Sequence, residues 1–267
     1  MTLHFSLQRR VAGLAGPDAN RLFNGYDKDL PVADLAGTRC LDHEIKDRRT
    51  TFGARYNVAP TQHVPIIRFN REGVLETVDV RWGLLPYWSK EPKLKYSTIN
   101  ARAETVEKLP AYRAAFRTRR CVVPATGWYE WQEVAPGDKW PWRIRKRDGK
   151  PLAFAGLWER WTGEDQVIES TTIIVTDAVQ VLSHTHDRMP VILSPETARL
   201  WMHWETQDAS ALKALLRPYV PEDLEMYRVS TLVNNARNDV PDMITPLDGE
   251  MVDAHTTDPT RQAGGRE

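Results

Sequence analysis

Glutamate is depleted in β-strands, yet Glu130 sits between Tyr129 and Trp131 in a strand-like Gly-Trp-Tyr-Glu-Trp run at residues 127–131. Side chains alternate across a strand, so Trp128, Glu130 and Gln132 share one face while Tyr129 and Trp131 take the other. On a partly buried face, desolvation raises a carboxyl pKa and suits the group to proton transfer; on the wet face of an edge strand it is only a solvated charge. A second cluster, His-Thr-His-Asp-Arg-Met-Pro at residues 184–190, sets His184 and His186 at alternate positions beside Asp187. Such a trio can begin a metal set, but no further ligand stands at a diagnostic spacing, so no metal is expected. By itself, a histidine in a polar loop is a solvated residue. Asn100 lies in Thr-Ile-Asn-Ala-Arg-Ala-Glu-Thr, residues 98–105, ahead of a helix-like stretch where a plain capping role would suffice.

The elements that must position these residues are mostly strands. Residues 64–69 and 74–80 read as a hairpin joined across Asn-Arg-Glu-Gly, and 120–124, 128–132 and 171–176 as further strands. Residues 140–145 and 152–155 look like another hairpin, turning at Arg-Asp-Gly. A helix is expected over 104–117, divided or kinked at Pro110. Two more follow at 195–204, with Ser194 as cap and Pro195 in the first turn, and at 209–216. This pattern predicts an α+β fold: one domain, residues 1–255, around a largely antiparallel, barrel-like core with a few flanking helices. Residues 256–267 are polar and aperiodic, and a disordered tail is expected there.

The net charge is zero, so no global field draws the chain to nucleic acid or membrane, and any such affinity must be local. Residues 102–120 hold six basic side chains (Arg102, Lys108, Arg113, Arg117, Arg119, Arg120) against Glu104 and Glu107, and Arg143, Arg145, Lys146 and Arg147 form a second cluster. Two cysteines, Cys40 and Cys121, make neither a disulfide framework nor a zinc site, and Cys121 reads as a small core residue. With no signal-like segment and no apolar run of membrane-spanning length, a cytoplasmic protein without membrane contact is expected.

The three motifs, in this order, resemble the SOS-response-associated peptidase family. Arg-Tyr-Asn-Val-Ala-Pro-Thr-Gln at residues 55–62, Trp-Gly-Leu-Leu-Pro-Tyr-Trp at 82–88, and the Val-Ser to Asn-Asp segment at 229–239 extend the resemblance to roughly residues 5–247. It implies a mostly β core with a groove, and covalent engagement of abasic sites in single-stranded DNA or at a single-strand/double-strand junction. No cofactor and a monomer are expected. His186 takes the general acid/base position, Glu130 stands beside it, Asn100 holds the N-terminal residue and the sugar, and Arg102 and Arg188 are the implied phosphate contacts. Asn57, Trp82 and Trp88 belong to segments that line the DNA groove in the family, where aromatic rings suit splayed bases.

The start of the chain departs from the family. Relatives begin Met-Cys-Gly-Arg-Phe and use the cysteine as nucleophile; this chain begins Met1-Thr2-Leu3-His4-Phe5. Removal of Met1 would leave the Thr2 α-amine, with a pKa of about 7.7–8.0, able to form an imine with the abasic aldehyde. A hydroxyl is a far weaker nucleophile than a thiolate, so a transient imine is expected in place of a stable ring, with strand cleavage as one outcome. The alternatives are a non-catalytic binder of single-stranded or damaged DNA and, ranked last, an N-terminal-threonine peptidase.

Overall fold

Alternating apolar and polar residues settle into fourteen strands among the residues that the computed structural model describes, 4–7, 54–70, 72–206, 208–247 and 251–253. Thr2, Leu3, Cys40 and the tail at 256–267 lie outside the described residues. In chain order the strands begin with β1 His4–Leu7, β2 Arg55–Val58, β3 His63–Phe69, β4 Leu75–Trp82 and β5 Asn100–Arg102. Helix α1 (Arg113–Thr118) then leads into β6 Arg120–Ala125, β7 Gly127–Ala135, β8 Asp138–Lys146, β9 Leu152–Thr162 and β10 Val167–Asp177. After α2 (Gln180–Ser183) come β11 Arg188–Pro190, β12 Ile192–Leu193, α3 (Pro195–Met202), α4 (Ala209–Ala214), β13 Leu224–Arg228 and β14 Val252–Asp253.

Strands β10, β4, β3, β6 and β9 pair in sequence, and β9 pairs back onto β10, closing a five-stranded barrel. The closure is mixed, because β10 runs parallel to β4 and also to β5. The fold is therefore α+β and barrel-like as expected, with these parallel contacts set in an otherwise antiparallel network. A second sheet, in the order β14-β13-β8-β7-β1-β2, lays one face against the barrel. There the Trp128 ring meets Phe154 edge-on at 5.8 Å and Phe5 meets Trp82 at 4.9 Å. Its other face carries a smaller apolar cluster of Tyr129, Tyr227, Val229, Val233 and Met243.

Several local expectations hold: the β3–β4 hairpin turns at Gly73 with φ +73°, and Ser194 caps α3 by accepting from Thr197 N–H at 3.2 Å. Others do not. β8 does not pair with β9; it pairs with β7 and β13, while β9 belongs to the barrel. The turn signal at Gly149, φ +68°, was read correctly, but it carries the chain from one sheet to the other, which a local signal cannot reveal. The helix expected over 104–117 shrinks to α1, and the residues before it form successive turns. Pro110 lacks the donor that would continue the ladder and pushes its predecessor out of helical geometry. Asn100 caps no helix; it opens strand β5.

Candidate active site and nucleic-acid face

Gly127 starts β7 because nothing larger fits. A Cβ there would lie 2.6 Å from the Ile144 carbonyl and 3.2 Å from the Arg143 guanidinium. This close approach fixes the register that puts Trp128 opposite Ile144 and Glu130 opposite Trp142. On the other side of β7, β1 runs antiparallel with His4 opposite Tyr129 and Phe5 opposite Trp128, so its N-terminal end points along β7 toward Glu130.

Glu130 is 3 % exposed, and its Oε1 finds no hydrogen-bond partner among the described residues. Burial pushes its pKa well above the ordinary carboxyl range, and the Asp187 charge adds to the rise. That last influence ties β7 to the His186 loop. His186 is half-buried, and burial lowers its pKa against the opposing pull of Asp187. Its Nδ1 lies 3.0 Å from the Arg188 amide N–H and 2.7 Å from Asp187 Oδ1. One nitrogen cannot serve both as acceptor and as donor. The shorter, charge-assisted contact to Asp187 favours the neutral tautomer with its proton on Nδ1, which leaves the Nε2 lone pair free.

Asn100 reaches the same region through β10. Its strand lies parallel to β10 with Asn100 beside Ile173, while β11 pairs farther along the same strand, Asp177 opposite Arg188. The neighbouring backbone is pinned by Tyr112 Oη donating to Asn100 O at 3.2 Å and by the Trp82 indole donating to Ile99 O at 2.9 Å. Both polar atoms of the Asn100 side chain are buried without a partner among the described residues. Trp82 also packs on Phe5, whose strand pairs with β7, so Trp82 and β1 link the Ile99–Asn100 segment to the Glu130 strand. Buried polar atoms without a partner are costly, and the Asn100 amide, Trp128 Nε1 and Glu130 Oε1 are among those that meet none within the described residues.

The remaining predicted residues divide by exposure. Arg102 is exposed on β5. Arg188 pairs with Glu104 at 2.7 Å and with Asp177 at 3.3 Å, a tie the sequence reading missed although Glu104 stood within the Asn100 motif. Trp88 is 46 % exposed and is joined by exposed Tyr87, Tyr96 and Leu109. Lys90, Lys93, Lys95 and Lys108 are exposed in the same segments of the chain. Beside it runs a cleft of about 400 Å³ lined by Leu84, Lys93, Tyr96, Thr98 and Ile99 among others. Asn57 and Trp82 are fully buried and offer no surface to a ligand. Asn57 instead donates to Val233 O at 3.2 Å and Asn235 O at 3.1 Å, holding the segment that follows β13.

Of the two basic clusters, only part of the first is available to an anion. Arg120 is buried, and its guanidinium serves the carbonyls of Phe116, Arg117, Trp201, His203 and Thr206. Arg119 pairs with Glu159. In the second cluster Arg143 is buried against Tyr227 Oη, Arg145 pairs with Glu225, and Arg147 with Asp253. No helix among the described residues is long and apolar enough to cross a membrane.

Comparison with known proteins fits this arrangement. The SOS response associated peptidase (SRAP) family matches residues 30–236. The abasic site processing protein YoqW of Bacillus subtilis (strain 168) is 42 % identical over 194 residues, spanning 71 % of this chain and 84 % of the relative. YedK of Escherichia coli (strain K12), also an abasic site processing protein, is 33 % identical over 195 residues, 72 % of this chain and 85 % of its own length. Among solved structures, a Bacteroides thetaiotaomicron protein superposes with a TM-score of 0.64 at 28 % identity, covering 72 % of this chain and 85 % of the other. With its ordered motifs, its barrel and these relatives in agreement, the chain belongs to the SOS response associated peptidase family.

Proposed function

We propose that this protein processes abasic sites in single-stranded DNA, or at single-strand/double-strand junctions, by forming an imine between the Thr2 α-amine and the aldehyde of the ring-opened sugar. The observation that carries this reading is a pair of titratable groups driven in opposite directions: burial raises Glu130 and lowers His186. Burial favours the neutral form of both, a carboxyl that can give a proton beside an imidazole that can take one. Covalent geometry keeps Thr2 within about 7 Å of His4, whose strand leads toward Glu130.

With Met1 removed, the neutral amine attacks the aldehyde carbon; neutral His186 accepts the proton that the nitrogen sheds and passes it to the carbonyl oxygen, giving a carbinolamine. Protonated Glu130 delivers a proton to the departing hydroxyl, which leaves as water while the C=N bond forms. Asn100 offers its unpartnered amide to the sugar, and Arg102 and Arg188 meet the flanking phosphates. With a hydroxyl at Thr2 where relatives carry a thiol, ring closure onto the imine is weak, and the adduct returns to aldehyde or loses the 3′ phosphate by β-elimination.

The test mixes the Met1-processed protein with a single strand carrying one abasic site, with and without borohydride, on a denaturing gel. A shifted band only with borohydride is expected. A shift without it would mean a durable ring or another nucleophile, and no shift in either lane would leave a binding protein without the chemistry.

A further inference from the structure

A row of side chains leads outward from Glu130 across three strands. Glu130 stands opposite Trp142 on β8, and Trp142 stands opposite Arg228 on β13; in the next row Gln132 faces Trp140. The period-two alternation puts all five on one face, the face of Trp128. Trp142 is half-buried and donates its indole N–H to Gln132 Oε1 at 2.9 Å. The Arg228 guanidinium carbon lies 3.7 Å from the centre of the Trp140 ring. Trp140 nevertheless keeps 37 % exposure. Along this face of β7 burial falls from Glu130 through half-buried Gln132 to exposed Val134, so the face passes from the buried site to solvent.

Trp140 is the diagonal cross-strand neighbour of Glu130, a separation of about 7–8 Å. We propose that Trp140, backed by Arg228 and Trp142, is a stacking platform for a nucleobase that flanks the lesion in the bound single strand. The identity of the ligand rests on the function proposed above. An abasic sugar has no base to stack, so its register must be set by neighbouring nucleotides. An indole accepts any base, because every base has a π-face, and a stacked guanidinium adds positive charge beside the backbone phosphates. The platform is continuous with the Glu130 site, and a guanidinium stacked on it carries charge complementary to phosphate.

The probe is a set of single strands carrying a tetrahydrofuran abasic analogue, which has no aldehyde and cannot form an imine, with 2-aminopurine placed at successive flanking positions. Wild-type protein is expected to quench one flanking position. Trp140→Ala should abolish that quenching and weaken Kd about tenfold, and Trp140→Tyr should restore binding to within about threefold of wild type. Arg228→Met, which leaves the indole in place, should keep the quenching and weaken binding by less than Trp140→Ala. Unchanged melting curves for the variants exclude a folding defect. A Trp140→Ala Kd within about twofold of wild type, quenching that persists, or a tyrosine variant as weak as alanine would overturn the platform. Loss of borohydride trapping in wild type would sink the proposed chemistry and leave this binding test intact.

Discussion

The two faces of β7 follow opposite rules. On one, Tyr129 donates its hydroxyl to Tyr56 O at 2.7 Å and Trp131 its indole N–H to Asn234 Oδ1 at 2.7 Å. On the other, Trp128 Nε1 and Glu130 Oε1 are buried and meet no partner among the described residues. The same strand thus places consecutive residues in a satisfied and an unsatisfied environment. Folding stability accounts for the first face and works against the second, which is the expected signature of residues retained for something outside the fold.

The largest effect should come from breaking the unsatisfied face. Glu130→Gln keeps the shape and removes the proton, and the rate of borohydride trapping is expected to fall by about 10²–10⁴-fold. A variant that traps at the wild-type rate would take Glu130 out of the chemistry. The same substitution should also change the pH dependence of stability. Because burial raises the folded pKa of Glu130 above its unfolded value near 4.5, the folded state binds more protons between the two. Its contribution is therefore present at low pH and lost as pH rises through that window, so the Tm of Glu130→Gln should hold up better than wild type from about pH 4.5 upward. Parallel Tm–pH curves for the two proteins would contradict this.

On the satisfied face the effect should be smaller and of another kind. Tyr129→Phe removes one buried hydrogen bond and is expected to cost about 1 kcal/mol in urea unfolding, with trapping unchanged at temperatures where the protein is folded. If Tyr129→Phe slowed trapping as much as Glu130→Gln, the two faces would not be functionally separate. The smallest contrast concerns the basic clusters. Arg102→Ala should weaken single-strand binding and reduce the slope of log affinity against log salt by about 1, whereas Arg145→Ala, whose charge is already held by Glu225, should leave that slope unchanged. Equal slopes for the two variants would mean that the phosphate path runs elsewhere.

The fold class and the candidate residues were legible in the sequence, whereas the neighbours of each strand were not. Glu130, His186 and Asn100 stood out as polar residues whose neighbours implied strands or tight loops. The pairing of β8 was misread because hydrophobic alternation gives a strand its faces but not its neighbours. Asn57 and Trp82 were grouped with groove residues because a motif does not say which way its side chains turn, and both are fully buried.

By itself the sequence determined the family, the α+β character and the threonine at position 2, and it singled out Glu130, His186 and Asn100 as candidates. These follow from residue type and short-range spacing. Only the tertiary structure decided that Glu130 is desolvated, that Arg188 is tied to Glu104 and Asp177, and that Arg143, Arg145 and Arg147 are spoken for. Each of those depends on which strands lie side by side, and in a closed mixed barrel those neighbours are set by contacts between residues far apart in the chain.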